Sequence, residues 1–215
     1  MKTSLSVHRL KREAKALARR EDIPHHQALD RVAAAHGFRR WSLLAAKLAR
    51  IPPAGQVYRH LKPGDLVLVG ARPGHGKTLL SLAIAVEAMR AGHRAVFFSL
   101  EYAERDIAGR FRALGVDPAL HGERFTFDGS GTISAGHIIA ALEGFAPGSL
   151  AVVDYLQLLD QRRDNPDLQS QVAGLRTFAR ERQLTMIFIS QIDRSYDPAA
   201  RPVPDIEDVR LPNPV

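Results

Sequence analysis

The stretch GARPGHGKTLL, residues 70–80, packs three glycines, a proline and one lysine between an apolar run, DLVLVG (65–70), and a helix-forming run that starts near Lys77. A glycine loop set between strand and helix is suited to holding phosphate. Gly74 and Gly76 let the backbone turn with its N–H groups pointing inward, and the helix that follows adds the positive end of its dipole. Lys77 can reach the β- and γ-phosphates of a nucleoside triphosphate, and the Thr78 hydroxyl can ligate Mg²⁺. The usual pattern is G-x-x-x-x-G-K-[ST]. Ala71 stands at its first position with Gly70 just before it, a difference of one methyl. The binding stretch expected from this pattern is Ala71, Arg72, Pro73, Gly74, His75, Gly76, Lys77, Thr78 and Leu79. His75 reads as a tolerated variable position of the loop rather than a catalyst.

Outward from the loop, short apolar runs alternate with helical stretches. RAVFFS (94–99), FTFD (125–128), LAVVD (150–154) and TMIFIS (185–190) read as further buried strands. Helices are expected at about 77–91, 103–114, 134–143 and 168–182, and Gly92, Gly115 and Gly144 follow three of them as C-caps. Strands apolar on both faces imply a sheet covered on both sides, and the strand–helix alternation implies parallel βαβ units. The expected fold is α/β, a P-loop nucleotide-binding domain with a mainly parallel central sheet flanked by helices. The tail DPAARPVPDIEDVRLPNPV (197–215) holds five prolines and reads as irregular.

A triphosphate loop calls for an acid near the metal, at the end of an apolar strand. LAVVD supplies Asp154; on its own it would be an ordinary strand-end aspartate, but joined to the loop it reads as a Mg²⁺-shell acid. Hydrolysis also needs a group that orients water. Glu101 follows VFFSL at the carboxyl edge of its strand, where ligands sit in open parallel sheets. It reads either as the group that polarises water or as a helix N-terminal acid that answers a dipole. Gln191 closes TMIFIS at the same edge and reads either as an amide reporting on the γ-phosphate or as a solvated loop glutamine.

The 215 residues suffice for one domain and a small appendage, and 45% apolar with 25% charged is ordinary for a soluble protein. No cysteine is present, which excludes disulfides and thiolate metal sites. No apolar run approaches the roughly 18 residues of a membrane span, and a soluble cytoplasmic protein is expected. The charge is unevenly placed. Residues 1–50 hold twelve lysines and arginines against four acids, a net of +8, whereas the whole chain carries +7. The remainder is therefore at −1, which argues for two functional parts. Residues 1–50 read as three short basic helices, with apolar faces at Leu10, Ala14 and Leu17, then Ala28, Leu29, Val32 and Ala33, then Trp41, Leu44, Ala45 and Leu48. Gly37 ends the second, and a helix-turn-helix is one arrangement open to residues 28–46. IPPAGQ (51–56) reads as an extended linker, giving parts 1–50, 51–59 and 60–215. Such helices suit DNA backbone contact; they equally suit a packed cap with solvated arginines. His8, His25, His26 and His36 share no metal-ligand spacing with an acid.

The chain resembles the RecA-like ATPase domain of DnaB-type replicative DNA helicases. The resemblance rests on LKPGDLVLVGARPGHGKTLLSLAIA (61–85), FFSLE (97–101), VVDYLQLL (152–159), LRTFARERQLTMIFISQIDR (175–194) and RPVPDIEDVR (201–210). It implies ATP as nucleotide with Mg²⁺, Lys77 and Thr78 on phosphate and metal, Glu101 as catalytic glutamate, Asp154 as the Walker B acid and Gln191 as sensor. It further implies a RecA-type sheet with a strand added between the two Walker strands. DNA, in single-stranded form, is the implied partner, and a homo-oligomer, up to a hexameric ring, the implied assembly. Two departures stand out. Family members continue into strands whose lysine and arginine reach a neighbour's nucleotide; here a partner or residues beyond Val215 would supply the finger, or turnover is slow, with Arg194, Arg201 and Arg210 as fallback candidates. The family's DNA-gripping loop reads DIEDVR (205–210), acidic where a neutral or basic loop is usual. Three functions are open: an ATP-driven motor on DNA, a nucleotide-dependent DNA-binding switch or loader that does not unwind, and a DNA-binding adaptor with a degenerate ATPase fold.

Overall fold

Leu66–Ala71 (β1), Ala95–Ser99 (β2), Phe125–Asp128 (β3), Leu150–Asp154 (β4) and Thr185–Gln191 (β5) pair in one sheet in the order β1-β5-β4-β2-β3. Every pairing among them is parallel. The computed structural model describes residues 7–49, 53–117, 122–131, 133–160, 165–197, 201 and 203–210. The α/β class and parallel sheet expected from the sequence are found, with strand ends within a residue or two. β5 is the strand inserted between β1 and β4. The inner strands β2 and β4 are buried along their whole length, as their two-sided apolar sequences require.

Helices cover both faces of the sheet. Lys77–Arg90 (α5) follows β1 and packs on β1, β2, β4 and β5. Ala135–Leu142 (α7) and Leu168–Arg182 (α8) share a core with Val96, Phe98, Val153, Met186 and Phe188. Strand alternation turns Phe97, Val152 and Ile187 to the opposite face. Glu104–Ala113 (α6) follows β2 and buries Ile107 and Phe111. The helix ends follow local chemistry. Ser134 accepts a hydrogen bond from the His137 N–H at 3.2 Å and Asp167 from the Ser170 N–H at 2.9 Å, capping α7 and α8. Gly92, Gly115 and Gly144 take φ of +93°, +71° and +80° just past α5, α6 and α7, the left-handed geometry expected of their position.

The chain divides into two compact units, residues 1–60 and 61–215. In the first, Val7–Glu21 (α1), His25–Ala35 (α2) and Trp41–Ala49 (α3) enclose a small core of Leu10, Ala14, Ala28, Val32, Ala33 and Leu44. Asp30 accepts the Trp41 N–H at 2.7 Å and so caps α3. A five-residue connection, 36–40, joins α2 to α3, with Gly37 at φ +80°. The extended conformation expected of IPPAGQ (51–56) is corrected. Residues 51 and 52 lie outside the described set, but Pro53–Tyr58 (α4) is helical. Proline is well tolerated at the first position of a helix, where its fixed φ fits and no N–H is needed. The described tail residues, 197, 201 and 203–210, are mostly irregular, as expected, with a short 3-10 turn at Ile206–Asp208 and an antiparallel bridge from Ile192 to Val209.

One buried amide ties the α8 side of the sheet together. Gln171, 3% exposed, donates to the carbonyls of Leu159 at 2.6 Å and Pro166 at 2.8 Å, and accepts the Ala135 N–H at 2.9 Å. A leucine of similar volume would leave the Ala135 donor and the Pro166 acceptor without this partner. Gln171→Leu is expected to lower the free energy of unfolding by about 2–4 kcal/mol. Exposed Gln169→Leu is expected to change it by under about 0.5 kcal/mol. Urea unfolding followed by circular dichroism measures both.

Candidate active site at the carboxyl edge of the sheet

The parallel pairing brings the carboxyl ends of four strands to one edge. In the register, Ala71 faces Gln191, Asp154 faces Ile189 and Ser99 faces Asp154. A cleft of about 590 Å³ opens there. Its walls include Gly74, Gly76, Lys77, Thr78 and Leu79 from the loop and α5, Glu101 and Tyr102 beyond β2, Arg110 on α6, Asp154 at the end of β4 and Gln191 at the end of β5. Lys77, Thr78, Glu101, Asp154 and Gln191, separated by up to 114 positions in sequence, thus share one cavity.

The loop is shaped as its glycines predict. Gly74 and Gly76 take φ of +77° and +78°, and a Cβ built at either would meet nothing within 4 Å. The left-handed backbone, rather than crowding, is what asks for glycine. The His75 N–H donates to the Arg72 carbonyl at 3.2 Å, whereas the N–H groups of Gly74 and Gly76 have no acceptor among the described residues. The Lys77 ammonium folds over the same carbonyl, donating to it at 3.3 Å. The loop therefore offers free amides and a cation at the start of α5, the electrostatics of an anion site.

At the foot of the loop the Thr78 hydroxyl donates to Asp154 Oδ2 at 2.9 Å. Two oxygen ligands from separate elements so converge on one spot, a donor set that suits a hard divalent cation such as Mg²⁺. Asp154 is buried, and burial pushes its carboxyl up to about 6; the Thr78 hydrogen bond opposes this, the Glu101 charge adds to it, and Lys77 and Arg110 oppose it. The buried carboxylate is short of positive charge, the condition a metal ion relieves. Glu101 sits on an exposed turn, its N–H donating to the buried Ser99 hydroxyl at 3.1 Å. A carboxylate there can accept a proton from a water held in the cleft.

Not every residue of the expected binding stretch reaches the cleft. Ala71, Arg72 and His75 are absent from its walls. Arg72 points the other way: it donates to the Tyr196 carbonyl at 2.8 Å and lies 5.5 Å over that ring. Arg201 stacks 5.9 Å from the same ring and pairs with Asp208 at 2.5 Å, so it is engaged within the tail. Arg194 and Arg210 line a separate hollow beside Gln191 and Asp193. Sequence reasoning missed Arg110 and Tyr102, which stack at 4.2 Å and line the cleft together. Tyr102 adjoins Glu101 in sequence, a usable signal; Arg110 arrives by the path of α6, which no motif marks.

The family described as "DnaB-like helicase C terminal domain" matches residues 55–117. A second family, described as "Glyoxalase superfamily protein", matches residues 1–72. Among the described residues no three or more His, Cys, Asp or Glu side chains cluster so as to hold a metal ion. The replicative DNA helicase DnaB of Leifsonia xyli is 29% identical over 70% of this chain, and that of Synechocystis is 25% identical over 70%. The chain spans 40% and 21% of the lengths of these two relatives. Among solved structures, an isolated ATPase domain superposes with a TM-score of 0.55 at 22% identity, covering 70% of this chain and 65% of that one. A DnaB-like replicative helicase, described with its interactions with primase, gives 0.58 at 20% identity over 72% of this chain and 45% of that one. A KaiC-like protein from Pyrococcus horikoshii gives 0.50 at 18% identity over 60% and 63%. These likenesses establish the RecA-like ATPase fold.

The raised Asp154 carboxyl gives a pH signature. A folded-state pKa of about 6 against 3.8 means the stability this group contributes is full below 3.8 and lost as pH rises through 6. At ~1.4 kcal/mol per pH unit the ceiling is about 3 kcal/mol. Asp154→Asn removes the buried charge, so it is expected to raise Tm by several degrees at pH 8 and to leave it nearly unchanged at pH 4. Differential scanning fluorimetry without nucleotide or Mg²⁺ reads both.

Proposed function

We propose, for a chain whose ATPase unit is a DnaB-like helicase C-terminal domain of RecA-like fold distantly homologous to the replicative DNA helicase DnaB, that it binds ATP with Mg²⁺ and hydrolyses it as a motor on single-stranded DNA. The observation that carries this reading is the Thr78–Asp154 contact at the foot of an open glycine loop, with Glu101 in the same cleft. The amides of Gly74 and Gly76 and the Lys77 ammonium hold the β- and γ-phosphates. Thr78 and Asp154 hold Mg²⁺, which when bound neutralises charge on the phosphate oxygens. Glu101 orients the attacking water and takes its proton; Gln191 bonds the γ-phosphate and carries its presence to the tail segment that follows β5. Phosphoryl transfer asks mainly for positioning and charge, which this residue set supplies. Arg110, in the cleft wall, adds positive charge on the Glu101 side. Copies associate around the cleft in a homo-oligomer of up to six, in the cytoplasm. No helix of the described residues is long and apolar enough to cross a membrane.

A second reading is a nucleotide-dependent switch or loader that binds DNA without unwinding it. The tail favours it: Asp205, Glu207 and Asp208 crowd one short turn, and Arg201, the base beside it, is spent on Asp208. The adaptor with a degenerate ATPase fold has no observation in its favour, since the five functional side chains share the cleft.

Lys77→Ala is expected to reduce ATP turnover by at least about 10³-fold, and Glu101→Gln by about 10²–10⁴-fold while ATP still binds. Turnover of the wild type is expected to rise several-fold with single-stranded DNA. Phosphate release with and without DNA, with solution mass measured with and without nucleotide, checks the set. Turnover that survives Lys77→Ala would remove the ATPase reading; turnover without strand separation would select the switch.

A further inference from the structure

Unit 1 carries a surface that the ATP site does not use. Lys11, Arg12, Lys15 and Arg19 on α1 are all exposed. At about 100° per residue they fall within roughly one quadrant of the helix, away from the face that buries Leu10 and Ala14. None of the four has an ion pair or hydrogen bond among the described residues. Neighbouring bases are different: Arg20 and Arg31 both pair with Glu21. Glu13, the other acid of α1, lies outside the quadrant. Four unneutralised cations side by side repel one another, and a chain gains from this arrangement when an anion covers it.

The shape of the stripe selects the anion. From Lys11 to Arg19 it runs about 12 Å along a straight helix, a length over which duplex DNA presents about seven phosphate charges. Proteins that hold single strands add aromatic platforms for the bases. Here the aromatics near the helix, Phe38 and Trp41, pack against the core of the unit instead. We propose that the Lys11–Arg12–Lys15–Arg19 stripe of α1 docks on the sugar–phosphate backbone of double-stranded DNA, without regard to base sequence. The contact is independent of the ATPase reading: it anchors the chain to duplex while the second unit does its own work.

The test uses the full chain, without nucleotide, and a fluorescent duplex of about 30 base pairs beside a single strand of equal length. Four phosphate contacts predict a slope of log affinity on log salt of about −3 to −4, a loss of about a hundredfold between about 50 and 200 mM salt. The combined variant Lys11→Gln, Arg12→Gln, Lys15→Gln and Arg19→Gln keeps helix propensity near that of the wild type. It is expected to lose at least about thirtyfold in duplex affinity at low salt and to flatten the slope by about 3. Arg20→Gln with Arg31→Gln, which removes the paired bases, is expected to change the slope by less than about 1. Should the fourfold variant lose its thermal transition, Lys15→Glu alone is expected to weaken duplex binding about five- to tenfold. The proposal is overturned if the stripe variant binds duplex like the wild type, if the fourfold change weakens single-strand binding as much as duplex binding, or if no duplex binds at low salt. ATP turnover of the stripe variant, measured alongside, stays at the wild-type basal level, so failure here and failure of the ATPase reading are separate results.

Discussion

The parallel pairing of β1, β5 and β4 is the constraint from which the site follows. Parallel strands point the same way, so each ends at the same edge, and whatever sequence follows each end meets its neighbours there. β1 delivers the glycine loop, β5 delivers Gln191 opposite Ala71, and β4 delivers Asp154 one strand further on. The 2.9 Å contact between Thr78 and Asp154 then closes the gap between a loop and a strand that lie 76 residues apart. Had β5 sat outside the β1–β4 pair, Gln191 would have no place in the cleft. The apolar residues that fill the sheet therefore serve the chemistry by fixing which strand lies next to which.

Burial at the foot of the cleft sets the electrostatics. Asp154 closes a fully buried strand, and burial disfavours its charge more than Thr78, Lys77 and Arg110 offset. The same surroundings make it an awkward residue to keep ionised without a cation nearby. The proposed metal site and folding stability thus draw on a single carboxyl group. The first unit handles charge the opposite way: its acids are few, Glu21 is shared between two arginines, and the surplus stays on the solvent side of α1.

Much of this was legible from the residues alone. The strands could be read because apolar runs of four to seven residues were punctuated by glycine, and Gly92, Gly115 and Gly144 adopt the left-handed geometry that their positions announced. The set Lys77, Thr78, Glu101, Asp154 and Gln191 could be read because each closes or follows a strand. Three features were not legible. Pro53 looked like a helix breaker, yet it begins α4, because proline's cost falls on helix interiors and not on first turns. Arg110 depends on where α6 lies against the sheet, which is a matter of packing and not of pattern. Arg72 sits in the middle of the glycine stretch but turns away from the cleft, a choice made by Tyr196, 124 residues later.

That choice has a structural cost for anyone who shortens the chain. Arg72 lies just before the glycine turn and is moored to the Tyr196 carbonyl and ring, while Tyr196 in turn is held by Arg201 and through it by Asp208. The segment after β5 is thus the outer buttress of the glycine turn. A fragment trimmed back to the last strand would keep Lys77, Thr78, Glu101, Asp154 and Gln191 and still lose the contacts that hold Arg72 beside the glycine turn, so the smallest fragment that preserves this turn as it stands extends at least to Asp208.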